Sequence, residues 1–321
     1  MKLNVSIDYT ESEDSRCSKV TRRLEIDSCG TAVRADLFIA VDVPLPWPKP
    51  VFDHQLLTGV TELLDSYSTP IRLLASVPEN NNRLTVTTYQ RKRKVHLDES
   101  PLRRSQTTFH PSDLLDVLKR ILDGKKSEEL TAATQEEQVR ELWVCTQGSH
   151  DVCCGSEGTA LSLEANKNLP DVKVRRVSHL GGHRFAPTAV TFPDGRMWSH
   201  LSMEILHRIF GKTPIEEELL KKCRGWSGSE TGPEQMAERE GLNLYGWEWD
   251  KYERRTHVLS EGASGTKVLV TGYDSKNEAE VSFDVTLEES GKTPALSCDK
   301  AGSIPNKWQT QYEIKKVNVH S

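Results

Sequence analysis

The chain has 321 residues, with 42 basic against 47 acidic side chains and a net charge of −5. That length accommodates two or three domains of ~100–200 residues each, and the near-balance of charge excludes a global field drawing the protein to nucleic acid or an anionic membrane. No run approaches the ~18 apolar residues of a spanning helix, and the first ten residues lack the apolar core of a secretory signal, so the expectation is a soluble cytoplasmic protein.

In chain order, residues 37–43 form an apolar run of strand length, stopped by the proline-rich segment Pro44 to Pro50. Leu56, Leu57, Val60, Leu63 and Leu64 recur with a helical period between Asp53 and Ser66, and strands are predicted at 71–77 and 83–90. A polar, basic segment containing Arg91-Lys92-Arg93-Lys94 reads as a solvated loop. His110-Pro111-Ser112-Asp113 then opens an amphipathic helix through Leu122. The charged stretch 125–138 reads as a helix or linker, after which the order repeats: a strand at 142–144, a helix at 156–165, a strand at 172–177, a hairpin around Pro193-Asp194-Gly195 and a helix at 202–210. This second pass has thioredoxin topology, with Ala186-Pro187-Thr188 at the place of that fold's cis-proline. Beyond Cys223 the pattern changes to weakly alternating runs such as 267–270 and 279–285, preceded by a short helix and loop at 232–245 and by Trp247 and Trp249, which read as packing residues. The predicted fold class is therefore α/β: two tandem thioredoxin-like domains, 1–130 (degenerate) and 131–215, followed by a small antiparallel β-rich region, 216–321.

The cysteines lie at 17, 29, 145, 153, 154, 223 and 298, and three of the seven fall within ten residues, a distribution that suits metal or thiol chemistry better than a disulfide framework. Cys145 to Gly155 leaves the end of a predicted strand and enters a helix N-terminus, where thiolate is stabilised. About 25 residues on, His179-Leu180-Gly181-Gly182-His183 places two imidazoles four positions apart, and the glycine pair lets the backbone bend tightly beside a bulky group. In the predicted topology these two loops lie side by side. Two thiolates and two imidazoles suit tetrahedral zinc or an iron–sulfur cluster with mixed ligands; the eight-residue gap between Cys145 and Cys154 is loose for zinc and comfortable around a two-iron core.

Cys145-x8-Cys154-Gly155 and His179-Leu180-Gly181-Gly182-His183-Arg184-Phe185-Ala186 resemble the motifs of the sucraseferredoxin-like family. Gly30-Thr31-Ala32, after Cys29, and Pro44-Leu45-Pro46-Trp47 resemble two further family segments, so the similarity spans at least residues 17–210. The resemblance implies a thioredoxin-like ferredoxin domain binding a [2Fe–2S] cluster through Cys145, Cys154, His179 and His183. It implies no sugar chemistry, no enzymatic activity of the chain's own, and a separate redox partner protein, a reductase or an acceptor. Histidine ligation raises the reduction potential and makes it depend on pH.

Cys153 departs from the family pattern and stands as an alternative ligand. His150, Asp151 and Arg184 are candidates for supporting or proton-relay roles beside the ligands. Cys17 and Cys29 read as free structural thiols, His200 and His207 as packing or surface residues, and Cys223 and Cys298 receive no role. Two other functions fit the same residues: a thiol oxidoreductase using Cys145, Cys153 or Cys154, against which stands the absence of a Cys-x-x-Cys pair, and a structural zinc protein acting as an interaction module.

Overall fold

A computed structural model describes residues 16–79, 83–91, 102–124, 139–262, 265–298 and 307–320. The expectations for 1–10, for Lys92 to Lys94 and for the linker 125–138 lie outside those residues.

Two sheets organise the chain. The larger has nine strands in the order β4-β3-β1-β2-β6-β5-β7-β8-β9, and the smaller has four antiparallel strands, β10 to β13, in sequence order. In the larger, β1 (Leu37–Asp42) runs parallel to β2 (Ile71–Ser76) and antiparallel to β3 (Leu84–Arg91), which pairs with β4 (Leu102–Phe109). β5 (Glu141–Cys145) runs parallel to β6 (Lys173–Val177) and antiparallel to β7 (Ala189–Phe192), and β8 (Arg196–Trp198) and β9 (Cys223–Trp226) complete that side. The halves meet where Ser76 of β2 pairs with Val177 of β6. All six residues of β1 and all five of β5 are buried, as expected of strands covered on both faces.

Three sequence expectations change in the structure. The helix expected over 53–66 is two single 3₁₀ turns followed by α2 (Val60–Asp65), because Gly59 at φ +80° interrupts the right-handed path. The polar segment after Arg91 contains β4, an edge strand in which only Leu102 and Phe109 are buried, so it carries no apolar alternation. Cys223–Trp226 joins the large sheet as β9 rather than opening the small one. The remaining helices are α1 (Cys17–Arg23), α3 (Leu114–Leu122), α4 (Thr159–Asn168), α5 (Met203–Phe210), α6 (Glu217–Leu220) and α7 (Gly232–Tyr245), the last begun by a reciprocal cap between Thr231 and Glu234.

The small sheet, β10 (Glu253–Gly262), β11 (Gly265–Asp274), β12 (Ala279–Pro294) and β13 (Trp308–His320), packs Val268, Val270, Phe283 and Val285 against α7 and the fully buried Trp249, which is a packing residue as its composition suggested. Beneath that contact lies a buried ion network. Arg196 of β8 holds Glu238 of α7 through two bonds of 2.9 Å and Asp250 through two, of 2.6 and 3.0 Å, while Arg254 of β10 reaches the same two carboxylates at 2.7 and 2.9 Å.

Candidate metal centre

β5 ends at Cys145, whose N–H donates to the Thr188 carbonyl while that of Thr146 donates to Val177, so the sheet itself delivers the thiol to one end. The chain then loops back and enters α4 through a π-helical turn, Cys154–Gly158. Two close approaches shape this return. A Cβ on Gly158 would lie 2.0 Å from the Cys145 carbonyl oxygen, and one on Gly155 would lie 2.5 Å from the Cα of Gly148. Gly155, which aligned the motif in the sequence, is thus where the loop passes over itself.

The second loop follows β6. Gly181 and Gly182 both have positive φ, +83° and +69°, and turn the chain so that the His183 ring comes to 5.6 Å from that of His179, centroid to centroid. The buried Arg224 supports this turn from below: it donates to the Gly181 carbonyl at 3.0 Å and to Thr31 through its hydroxyl, at 3.0 Å, and its carbonyl. The Gly30-Thr31-Ala32 segment singled out in the sequence is therefore the cradle of Arg224, and burial pushes that guanidinium down to about 10. The Ala186–Pro187 bond is cis, where it was expected.

The Cys145, Cys154 and His179 donor atoms lie within 4.8 Å of one another, and so do those of His150, His179 and His183. His179 belongs to both groups and joins the four predicted ligands into one patch. Cys145 and Cys154 are fully buried. The Cys154 thiol donates toward Cys145, which holds Cys145 well below the ordinary thiol range and pushes Cys154 well above it. His183 Nε2 sits 3.1 Å from the Leu296 carbonyl. A carbonyl only accepts, so Nε2 carries the proton and Nδ1 carries the lone pair. The Nδ1 atoms of both His179 and His183 are buried without a hydrogen-bond partner. Burial lowers the His183 pKa, favouring neutral imidazole.

Of the supporting candidates, His150 stacks on His179 with ring centroids 3.6 Å apart. Asp151 is buried, its carboxyl pKa raised by that burial, and lies 3.8 Å from His183 Nε2. Arg184 stacks over Phe185 and donates to Gln309. Sequence reading missed Gln147, whose buried amide accepts from the His179 N–H at 3.1 Å and donates to the Pro48 carbonyl at 2.7 Å, tying both ligand loops to the proline-rich segment. It also missed Leu296, which lies 113 residues beyond His183 and left no local signal.

Cys153 faces away from this patch, toward Cys17 of α1 and Cys298 in the turn after β12. Cys17 is a free, buried thiol as expected, but it is not alone: only tertiary folding brings it beside Cys153 and Cys298, the last of which received no role in the sequence. Cys29 and Cys223 are buried in the core beneath α7, and His200 is half-buried beside Arg22.

No curated protein and no solved structure matches the chain. The model of the sucrase/ferredoxin-like family matches residues 28–225, a span containing all four predicted ligands, Arg224 and its cradle. The chain belongs to the sucrase/ferredoxin-like family.

Proposed function

We propose that this is a [2Fe–2S] protein of electron transfer or redox sensing, with Cys145, Cys154, His179 and His183 as the ligands, and that residues 131–215 form a thioredoxin-like ferredoxin domain between a degenerate N-terminal one and a β-rich C-terminal region. The observation that carries the reading is that the donor atoms of Cys145, Cys154 and His179 gather within 4.8 Å, that His183 joins them through His179, and that both histidines keep a buried Nδ1 with no hydrogen-bond partner. An orphaned buried ring nitrogen costs on the order of 1–3 kcal/mol, and ligation removes that cost twice. The donor set, two soft thiolates and two imidazoles, fits a mixed-ligand iron–sulfur group.

When bound, such a cluster supplies one-electron exchange. The protein's own residues do the rest. Gln147 fixes the backbone of His179; the Leu296 carbonyl fixes the tautomer of His183 and leaves Nδ1 as its donor atom. Arg224, buried below the glycine turn, offsets thiolate charge. The thiols are sealed from water while the His183 side chain is 19% exposed, so His183 is the edge through which an unidentified redox partner would couple, and its Nε2–H is the proton lost at high pH. The buried thiols also weigh against direct thiol exchange with a protein substrate, which needs access.

The test is a visible spectrum with iron, sulfide and zinc analysis on anaerobically purified full-length protein, alongside His179→Cys, His183→Cys and Cys154→Ser. The expected result is a coloured protein with about two irons and two sulfides per chain, a spectrum altered in each variant, and a potential that falls with pH only while both histidines are present. Colourless protein with zinc at these four residues would overturn it in favour of the interaction-module reading.

A further inference from the structure

Three cysteines that the four-ligand centre does not use form an arrangement of their own. Cys17, Cys153 and Cys298 come from the start of α1, from the residue preceding the π-helical turn, and from the turn after β12. Their sulfurs form a nearly equilateral triangle: 3.6 Å from Cys17 to Cys153, 3.3 Å from Cys153 to Cys298 and 3.3 Å from Cys298 to Cys17. Asp151 closes the set. Both its oxygens lie 3.9 Å from the Cys17 sulfur, its Oδ1 accepts from the Cys153 N–H at 2.9 Å, and its Oδ2 accepts from the Cys298 N–H at 3.3 Å. All four donor atoms fall within 4.8 Å of one another.

We propose that Cys17, Cys153, Cys298 and Asp151 form a second metal site, separate from the four-ligand centre, that takes one thiophilic closed-shell divalent cation of the zinc(II) type. The dimensions carry the assignment. Thiolates ~2.3 Å from a tetrahedral zinc stand about 3.8 Å from each other, so the triangle needs to open by only a few tenths of an ångström. A disulfide would need two of the sulfurs to close to ~2.05 Å and would leave the third thiol buried beside it. A cluster of several metals would need sulfurs farther apart than any edge here. Loading the site releases the thiol protons to solvent and changes no oxidation state. The consequence is mechanical: one ion would pin α1 and the 298 turn to the loop that carries Cys154, and Asp151, already beside His183, would join the two centres.

The proposal does not depend on what the four-ligand centre holds, and the experiment keeps the two apart by working in the Cys145→Ser full-length chain, purified anaerobically under reductant and freed of metal. Cobalt(II) is the probe, because thiolate-to-cobalt charge-transfer absorption reports sulfur ligation directly. The expected result is one cobalt per chain with that absorption, displaced by zinc, and at least about 100-fold weaker binding when Cys298→Ser or Cys17→Ser is added. If those variants misfold, X-ray absorption at the zinc edge of the Cys145→Ser chain loaded with one zinc decides the matter, since this site gives three sulfurs and one oxygen. Absence of the thiolate band in the Cys145→Ser chain, a band indifferent to Cys17 and Cys298, or a zinc environment rich in nitrogen overturns the proposal.

Discussion

A methyl group at Gly182 is the smallest change that reaches the candidate centre. It would sit 2.6 Å from one terminal nitrogen of Arg224 and 2.7 Å from its central carbon, and Arg224 is pinned by Thr31 and Gly181 and cannot yield cheaply. The residue also holds φ +69°, which costs an L-residue roughly 1–2 kcal/mol before any clash. Gly182→Ala should therefore lower stability by about 2 kcal/mol or more in urea denaturation and reduce the metal that copurifies; retention of both would mean the turn is not held as described. His200 gives a pH dependence. Burial, together with the charge of Arg22 and more weakly those of Lys222 and Arg224, lowers its pKa from 6.5 to about 3. Between those values the unfolded chain binds a proton that the folded one refuses, so stability falls as pH drops below 6.5, by up to ~1.4 kcal/mol per pH unit for this one group. Asparagine tolerates the φ of +47° at this position, so His200→Asn should keep the fold and flatten the slope between pH 6.5 and 4.5 by up to one proton; an unchanged slope would show that His200 titrates normally. That Cys145, Cys154 and His179 come together was legible because residue types that ligate metal stood at a spacing and beside glycines with few other uses. Gln147 was not, since a buried glutamine is identified only by what it bonds.

Elements were legible where their burial was one-sided or complete and illegible where it was neither. β1, β5, α3 and α5 announce themselves by apolar runs or helical period, whereas β4 is an edge strand in which only the terminal Leu102 and Phe109 are buried, and α2 loses its first turns to Gly59. The buried ion network between β8, α7 and β10 left no pattern at all, because Arg196, Glu238, Asp250 and Arg254 look like ordinary charged residues until folding brings them together. Its energetics are asymmetric. Glu238 has no exposed surface and satisfies Arg196, Arg254 and the Trp249 indole at 2.9 Å, so Glu238→Ala would leave two buried guanidinium groups sharing Asp250 alone. The expected loss is ~3–5 kcal/mol in thermal or chemical denaturation. Replacing Arg196 with Met in the same chain should recover part of it, because that removes one of the stranded charges; if the double variant is no better than Glu238→Ala, the cost is the lost packing of α7 rather than unpaired charge.

At the scale of the whole molecule, the segment after residue 225 completes structure that begins far upstream. Gln235 of α7 exchanges two hydrogen bonds of 2.9 Å with Ala32 and so braces the cradle of Arg224; Leu296 fixes the tautomer of His183; Glu238 and Asp250 neutralise Arg196. The family match ends at residue 225, yet each of these partners lies beyond it. A fragment ending at Trp226 keeps all four predicted ligands and loses every one of those supports, leaving Arg196, which has no solvent exposure in the full chain, without a counter-charge. Such a fragment should fail to melt cooperatively and should hold well under half the metal of the full chain per molecule. Arg196→Met within the fragment should improve its solubility without restoring the metal, because charge relief mends the sheet edge but does not return Leu296 to His183. A fragment that melts as sharply as the full chain and carries the same metal would show that the C-terminal sheet is an appendage, and that the ligand loops hold their shape through Gln147 and Arg224 alone.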